Sequence, residues 1–238
     1  MNSIRQFSGV RALVFDLDGT LIDSKLDLAL SVNAALEHMG RAHLPHEMIF
    51  GFVGQGAPTL IRRSLAASPN GSVGSEPTEA EIAQGLRYFL EYYREHMLDN
   101  TVLYPGVREG LDALAAQGHA MAVLTNKPER ISKMIIKGLG VDVHFRYVYG
   151  GNTFERKKPD PMGVQVLLRD FAVEPQQAMM VGDSEIDVLT ARNSGIWCCG
   201  VSYGLGSHLL GEYPPDLLLD TLADLPRHLP AAAAKSNR

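Results

Sequence analysis

Val10-Arg11-Ala12-Leu13-Val14-Phe15-Asp16-Leu17-Asp18-Gly19-Thr20 is the stretch on which the fold turns. Its first half is a short apolar run, and its second half is acidic and then glycine, the pattern of a buried strand running into a turn. Asp16, Asp18 and Thr20 alternate directly after the run, so in extended geometry the two carboxylates point the same way at the strand's carboxyl end. Open α/β sheets bind their ligands outside that end. Gly19 lets the chain turn and brings backbone N–H groups near an anion, and Thr20 adds a hydroxyl. The plain alternative is a solvated turn, for which Asp and Gly are ordinary residues.

Working outward, similar apolar runs recur at His119 to Leu124, Tyr147 to Tyr149, Ala178 to Val181 and Trp197 to Val201. Helical periodicity fills the gaps between them, over Pro128 to Leu139, Pro161 to Phe171 and Glu185 to Ser194. Strands alternating with helices predict an α/β class protein with a Rossmann-like parallel sheet core covered on both faces. The first strand stands apart, because about a hundred residues without a strand pattern separate it from the second. That connection holds helical patterns at Asp27 to Met39, Ala57 to Leu65, Glu79 to Met97 and Val107 to Ala116, with Thr78 and Glu81 at capping-box spacing. The expected organisation is a core of residues 1–22 and 99–229, an inserted helical cap domain of residues 23–98, a Gly/Ser/Pro-rich loop at Ser68 to Pro77, and a disordered tail over 230–238.

The later strands end in residues with chemistry of their own. Leu124-Thr125-Asn126-Lys127 precedes Pro128, where a helix begins. A Thr-Asn pair alone is an ordinary helix start, but at the same sheet edge as Asp16 the Thr125 hydroxyl could hold an oxygen of whatever Asp16 engages. After the third strand, Lys157-Lys158-Pro159-Asp160-Pro161 restricts the backbone around Lys158. The fourth ends in Gly182-Asp183-Ser184, with Asp187 one helical turn on and Ser184 able to cap that helix. Four successive strands thus bring Asp/Asp, Thr/Asn, Lys and Asp/Asp to one edge. Carboxylates gathered together repel, and oxygen-rich, histidine-free ligation beside an anion suits Mg²⁺.

Composition narrows the class. The 238 residues carry 22 Lys+Arg against 27 Asp+Glu, a formal charge of −5, so no broad basic field exists for nucleic acid or an anionic membrane. No apolar stretch approaches the roughly 20 residues of a spanning helix, and Met1 to Gly9 lacks a signal peptide's apolar run, which predicts a cytoplasmic protein with no membrane or nucleic-acid partner. Cys198 and Cys199 are adjacent in an apolar run and read as buried thiols. Eight histidines offer no metal-pair spacing, and no serine elbow, Walker lysine loop or Gly-x-Gly-x-x-Gly occurs. A carboxylate nucleophile remains.

The four ordered motifs, Phe15-Asp16-Leu17-Asp18-Gly19-Thr20-Leu21, Leu124-Thr125-Asn126-Lys127, Lys158-Pro159 and Gly182-Asp183-Ser184 with Asp187, resemble the signatures of the haloacid dehalogenase superfamily of phosphatases. Ile22-Asp23-Ser24, Val53-Gly54-Gln55-Gly56-Ala57, Thr125-Asn126-Lys127-Pro128, Gly150-Gly151 and Val201-Ser202-Tyr203-Gly204 are most similar to its bacterial phosphoglycolate phosphatases. The resemblance implies that Asp16 is a nucleophile forming an aspartyl-phosphate and Asp18 a general acid and base. Thr125 and Lys158 would stabilise the phosphoryl oxygens. Mg²⁺ would sit on Asp16, the Asp18 carbonyl and Asp183, with Asp187 orienting its shell. Gly19, Thr20 and Asn126 would line the substrate, a small phosphorylated metabolite such as 2-phosphoglycolate. Arg62 and Arg63 of the cap, beyond the Gly54-Gln55-Gly56 run, are candidates to read a leaving-group carboxylate, or else form a solvated pair. The expected assembly is a monomer or homodimer.

Other readings stay open at this point. Pyrophosphate, a nucleotide or a sugar phosphate is an alternative substrate within the same superfamily, and a phosphosugar mutase an alternative reaction. A receiver-type phospho-switch would use Asp, Thr and Lys around Mg²⁺ but does not account for the inserted cap or for Asp18.

Overall fold

The computed structural model describes residues 7–68 and 76–232. Most of the loop expected from Ser68 to Pro77, namely 69–75, and the tail from 233 lie outside the described residues. In chain order the strands and helices are β1 (Ala12–Phe15), β2 (Ile22–Asp23), α1 (Lys25–His38), α2 (His46–Phe50), α3 (Ala57–Ala67), α4 (Glu79–His96), β3 (Val102–Leu103) and α5 (Val107–Ala116). They continue with β4 (Ala120–Leu124), α6 (Glu129–Gly138), β5 (Tyr147–Tyr149), α7 (Met162–Phe171), β6 (Ala178–Gly182), α8 (Glu185–Ser194), β7 (Trp197–Val201), β8 (Leu217–Leu219) and α9 (Leu225–His228).

Two compact units result, one made of Met1–Ile22 with Leu103–Arg238, the other of Asp23–Val102. In the first, six parallel strands run in the order β5-β4-β1-β6-β7-β8. The strands hydrogen-bonded to β1 are β4 on one side and β6 on the other, so the chain reverses its direction of winding at β1. That reversal opens a crevice at the carboxyl end of β1, where α/β sheets bind ligands. Register fixes the depth of that end: Phe15 is level with Val123 and Val181, and the Asp16 N–H donates to Val181 O at 2.9 Å.

The alternation along β1 explains why the strand is buried on both faces. Ala12 and Val14 pack with Val164, Leu167 and Phe171 of α7 and with Val188 and Ala191 of α8. Leu13 and Phe15 face the other way, and Phe15 meets Phe145 edge to face at 6.0 Å. Cys198 and Cys199 are buried in β7, and burial raises both thiols, which matches inert core residues.

In the second unit, α1, α3 and α4 enclose Leu28, Val32, Leu36, Ile61, Leu65, Phe89 and Tyr93. The Thr78–Glu81 capping box opens α4 as its spacing predicts. Phe89 and Tyr93 belong to this core, stacked at 5.5 Å. The buried carboxylate of Asp27 accepts from the Asn100 N–H and amide and from the Thr101 N–H and hydroxyl, tying the start of the unit to its end.

Several elements differ from the expected pattern. The long connection is not free of strands: β2 and β3 pair with each other where the chain passes between the units. Two-residue strands have no periodicity to detect. For the same reason the short α2 and the three-residue β8, which follows β7 in the sheet, leave little trace in the sequence.

Candidate active site

The sheet's carboxyl edge at β1, β4 and β6 gathers the predicted acidic and basic residues of the first unit. After Phe15 the chain reaches Asp16 and then turns tightly: the N–H groups of Thr20, Leu21 and Ile22 all donate to Leu17 O, and Gly19 N–H donates to Ile22 O. Asp16 lies toward Lys158, whose Nζ is 2.9 Å from Oδ1. Asp18, one pleat further, lies toward Lys127, whose Nζ is 2.9 and 3.1 Å from its two oxygens.

From β6 come Asp183 and Asp187. Asp183 is 2% exposed and accepts from the Thr20 hydroxyl at 3.0 Å and from the Gly206 N–H at 2.9 Å. Asp187 accepts from Lys158 Nζ at 2.6 Å through Oδ1, and its Oδ2 takes the N–H and hydroxyl of Ser184. Ser184, at the start of α8, is therefore bound to a residue of the site.

Three glycines make room for these carboxylates. A Cβ on Gly19 would fall 2.3 Å from Asp183 Oδ2, on Gly204 2.1 Å from Asp183 Cβ, and on Gly182 2.2 Å from Asp187 Cγ. Gly19 also has φ +88°, a conformation L side chains rarely adopt.

Asp16, Asp183 and Asp187 each present a carboxylate oxygen within 4.8 Å of the others. Burial dominates their electrostatics. It pushes Asp16 up to about 6, against the pull of Lys158, and Asp183 up to about 8, reinforced by the charges of Asp187 and Asp16. Burial alone would lower Lys158, but Asp16 and Asp187 overcome it and hold the ammonium above the ordinary lysine range. Asp16 Oδ1 is buried, with the Lys158 ammonium 2.9 Å away. A buried oxygen of this kind, with two further carboxylates beside it and no nitrogen or sulfur ligand, fits a hard divalent cation.

The remaining expectations are met differently. Gly19 does not turn its N–H toward an anion, because Ile22 O takes it, and the Thr20 hydroxyl is on Asp183. Both residues position a carboxylate. Thr125 extends β4, its N–H on Tyr149 O and its hydroxyl oxygen accepting from Lys127 N–H at 3.2 Å. Asn126 donates its amide to Lys158 O at 3.1 Å and so fixes the lysine's main chain. Asp18's side chain stands outside the three-carboxylate cluster. Arg62 and Arg63 lie on α3 of the second unit, Arg62 in an exposed ion pair with Glu79 at 2.7 Å and Arg63 on Gln55 at 3.0 Å.

Sequence reasoning gave no role to Lys127, Gly204 or Gly206, nor to Tyr203, whose hydroxyl donates to Thr20 O at 2.9 Å. The signal was present in the glycines following β7, which reach the same sheet edge as Asp183.

A parallel sheet reversing at β1 thus carries a buried carboxylate, a lysine and two further acidic groups at its mouth. The haloacid dehalogenase-like hydrolase family model matches residues 13–201, and the chain belongs to that family. It is 41% identical over 217 residues to a phosphoglycolate phosphatase of Pseudomonas fluorescens, covering 90% of this chain and 78% of that one. It is 38% identical to a phosphoglycolate phosphatase of Haemophilus influenzae, covering 89% and 94%. Among solved structures, a predicted phosphoglycolate phosphatase from Haemophilus somnus superposes with a TM-score of 0.87 at 34% identity, covering 92% of this chain and 97% of that one. No described helix is long and apolar enough to cross a membrane.

Proposed function

We propose that the protein is a Mg²⁺-dependent phosphomonoester hydrolase that works through an aspartyl-phosphate and takes 2-phosphoglycolate, releasing glycolate and phosphate. The observation that carries this reading is the division of labour between two aspartates two residues apart: Asp16 sits among Lys158, Asp183 and Asp187, whereas Asp18 is held apart on Lys127.

A carboxylate oxygen of Asp16 attacks phosphorus while the ester P–O bond breaks, and Asp18 gives its proton to the departing alkoxide. Water then attacks the phosphorus of the aspartyl-phosphate and gives a proton to Asp18, which restores the Asp16 carboxylate and frees phosphate. Thr125 and Lys158 hold the equatorial oxygens, the lysine as a point charge inside a buried site. Mg²⁺, when held by Asp16, Asp183 and the Asp18 carbonyl with Asp187 behind them, supplies the positive charge that offsets repulsion between nucleophile and phosphate. The helical unit serves as the cap of family members, with Arg62 and Arg63 its candidate readers of the leaving group.

The substrate rests on relatives at about 40% identity that are named phosphoglycolate phosphatases. A panel of small phosphate esters and pyrophosphate, assayed with Mg²⁺, tests it. 2-Phosphoglycolate is expected to have the highest kcat/KM, and a tenfold preference for a sugar phosphate, a nucleotide or pyrophosphate refutes the substrate while leaving the Asp16 chemistry in place.

A further inference from the structure

The two lysines of the site have different company. Lys158 stands between Asp16 and Asp187, on the side where phosphorus is attacked. Lys127 stands on Asp18, at 2.9 and 3.1 Å from its two oxygens, and both side chains are almost wholly buried. Hydrolysis of a neutral ester asks for a cation at the phosphoryl group, which Lys158 provides. It does not ask for a second buried ammonium on the acid, and burying one carries a desolvation cost.

We propose that Lys127 is a specificity-determining residue that meets a carboxylate on the leaving group. This deepens the proposed function and rests on it. Whichever oxygen of Asp18 protonates the bridging oxygen, the Lys127 ammonium is within hydrogen-bonding distance of that same oxygen. A group adjoining the bridging oxygen therefore arrives beside Lys127. In 2-phosphoglycolate the adjoining group is a carboxylate, one methylene away. Without a cation there, that carboxylate would enter a buried site with no countercharge, beside an Asp18 side chain that becomes anionic as soon as it gives up its proton. With Lys127 between them the contact is attractive, and the ammonium, carrying three donors, can serve both acids.

The main chain under Lys127 is built to keep it in place. Its N–H donates to Thr125 Oγ1 at 3.2 Å, and its C=O accepts from Gly151 N–H at 2.9 Å. A Cβ on Gly150 would fall 2.6 Å from Lys127 O, and one on Gly151 2.4 Å from Asn126 O, so the two glycines are what let this segment pack so closely. Only the side chain is left to adjust, which is the preorganisation a selective contact needs.

The experiment compares Lys127→Met and Lys127→Arg with the wild type on three esters: 2-phosphoglycolate, 2-hydroxyethyl phosphate, which has the same length and an uncharged leaving group, and p-nitrophenyl phosphate, whose leaving group departs without protonation. The quantity read is the ratio of kcat/KM for 2-phosphoglycolate over 2-hydroxyethyl phosphate. Lys127→Met should lower that ratio roughly 10- to 150-fold, the range for losing one hydrogen bond to a charged group. Lys127→Arg, which keeps the charge, should retain most of the ratio. If Lys127→Met lowers both unactivated esters by the same factor and spares the aryl ester, Lys127 serves only to position Asp18, and the inference is overturned. Should the methionine variant fail to fold, Lys127→Gln is read by the same ratio with the same two outcomes. A wild type that does not prefer 2-phosphoglycolate to 2-hydroxyethyl phosphate refutes the proposed substrate instead, and needs no variant to do so.

Discussion

Gly19 and Asp183 are so close that a Cβ on the glycine would lie 2.3 Å from the carboxylate oxygen Oδ2. Asp183 cannot retreat freely, because Thr20 and Gly206 hold its two oxygens. Gly19→Ala therefore combines a positive-φ penalty of about 1–2 kcal/mol with displacement of a metal-ligand candidate. A modest fall in melting temperature is expected beside a large rise in the Mg²⁺ concentration needed for half-maximal activity. An alanine variant with the wild-type Mg²⁺ requirement would falsify the role given to this contact.

Asp16→Asn keeps the shape of the side chain but removes the nucleophile. Turnover should be abolished with the thermal melt preserved, once mass spectrometry has excluded deamidation back to Asp. Asp18→Asn should retain measurable activity, reduced by about 10²–10⁴ on unactivated esters, the usual share of general acid–base catalysis. An Asp18→Asn defect confined to KM would remove Asp18 from the proton transfers.

Metal affinity should depend on pH, with a sign set by burial. Burial pushes Asp183 up to about 8 and Asp16 to about 6, so at neutral pH the metal-free carboxylate cluster holds a proton that Mg²⁺ must displace. Binding should tighten by about tenfold per pH unit as pH rises toward 8 and level off above it. Calorimetry in buffers of different ionisation enthalpy reads the released proton directly. A Mg²⁺ Kd that is flat across neutral pH contradicts the account.

His119, just ahead of β4, is buried, and neither ring nitrogen has a hydrogen-bond partner among the described residues. Burial holds its imidazole below the ordinary value of 6.5. The unfolded chain takes up its proton at 6.5 and the folded chain only at lower pH. This site therefore leaves stability untouched above 6.5 and subtracts from it as pH falls below, until the folded imidazole itself protonates. His119→Met should flatten that part of the acid limb in a plot of melting temperature against pH. An unchanged slope between wild type and variant refutes it.

The two arginines of α3 should behave differently. Arg62 is committed to Glu79 on an exposed surface, where an ion pair contributes little, whereas Arg63 meets the neutral Gln55. Arg63→Ala is expected to cost about 1.5–3 kcal/mol in kcat/KM for 2-phosphoglycolate, with Arg62→Ala close to wild type. Equal losses on 2-phosphoglycolate and on an aryl phosphate would return both arginines to a solvated pair.

Much of the site was legible because its residues sit where strands end, and strand ends announce themselves by composition. Asp16, Thr125 and Asp183 each follow an uninterrupted apolar run, and the parallel sheet does the rest by bringing the ends together. What the sequence did not disclose was direction. Lys127 was visible as the residue after Thr125-Asn126, but nothing in a linear pattern says that a side chain at a strand-to-helix turn reaches back to Asp18. Gly19 and Thr20 were read as donors to an anion, and both proved to serve Asp183, because hydrogen-bond pairing inside a tight turn depends on which carbonyl the turn brings round. The short β2, β3 and β8 escaped notice for a different reason, since they are defined by their neighbours in the sheet and carry no pattern of their own.

The central position of β1 has a consequence for how the protein comes into being. β1, which leads into Asp16, precedes the other strands of its sheet in the chain, yet it is flanked by β4 and β6, and the Thr20–Asp183 bond that closes the site spans 163 residues of chain. During synthesis β1 waits with both edges unpaired while the whole helical unit and then β4 emerge, and the nascent chain has no binding site until β6 docks. Contacts of such long reach make the last step of assembly slow relative to local helix formation. A chain that stops before β6 therefore lacks Asp183 and Asp187 and leaves one edge of β1 without its partner strand.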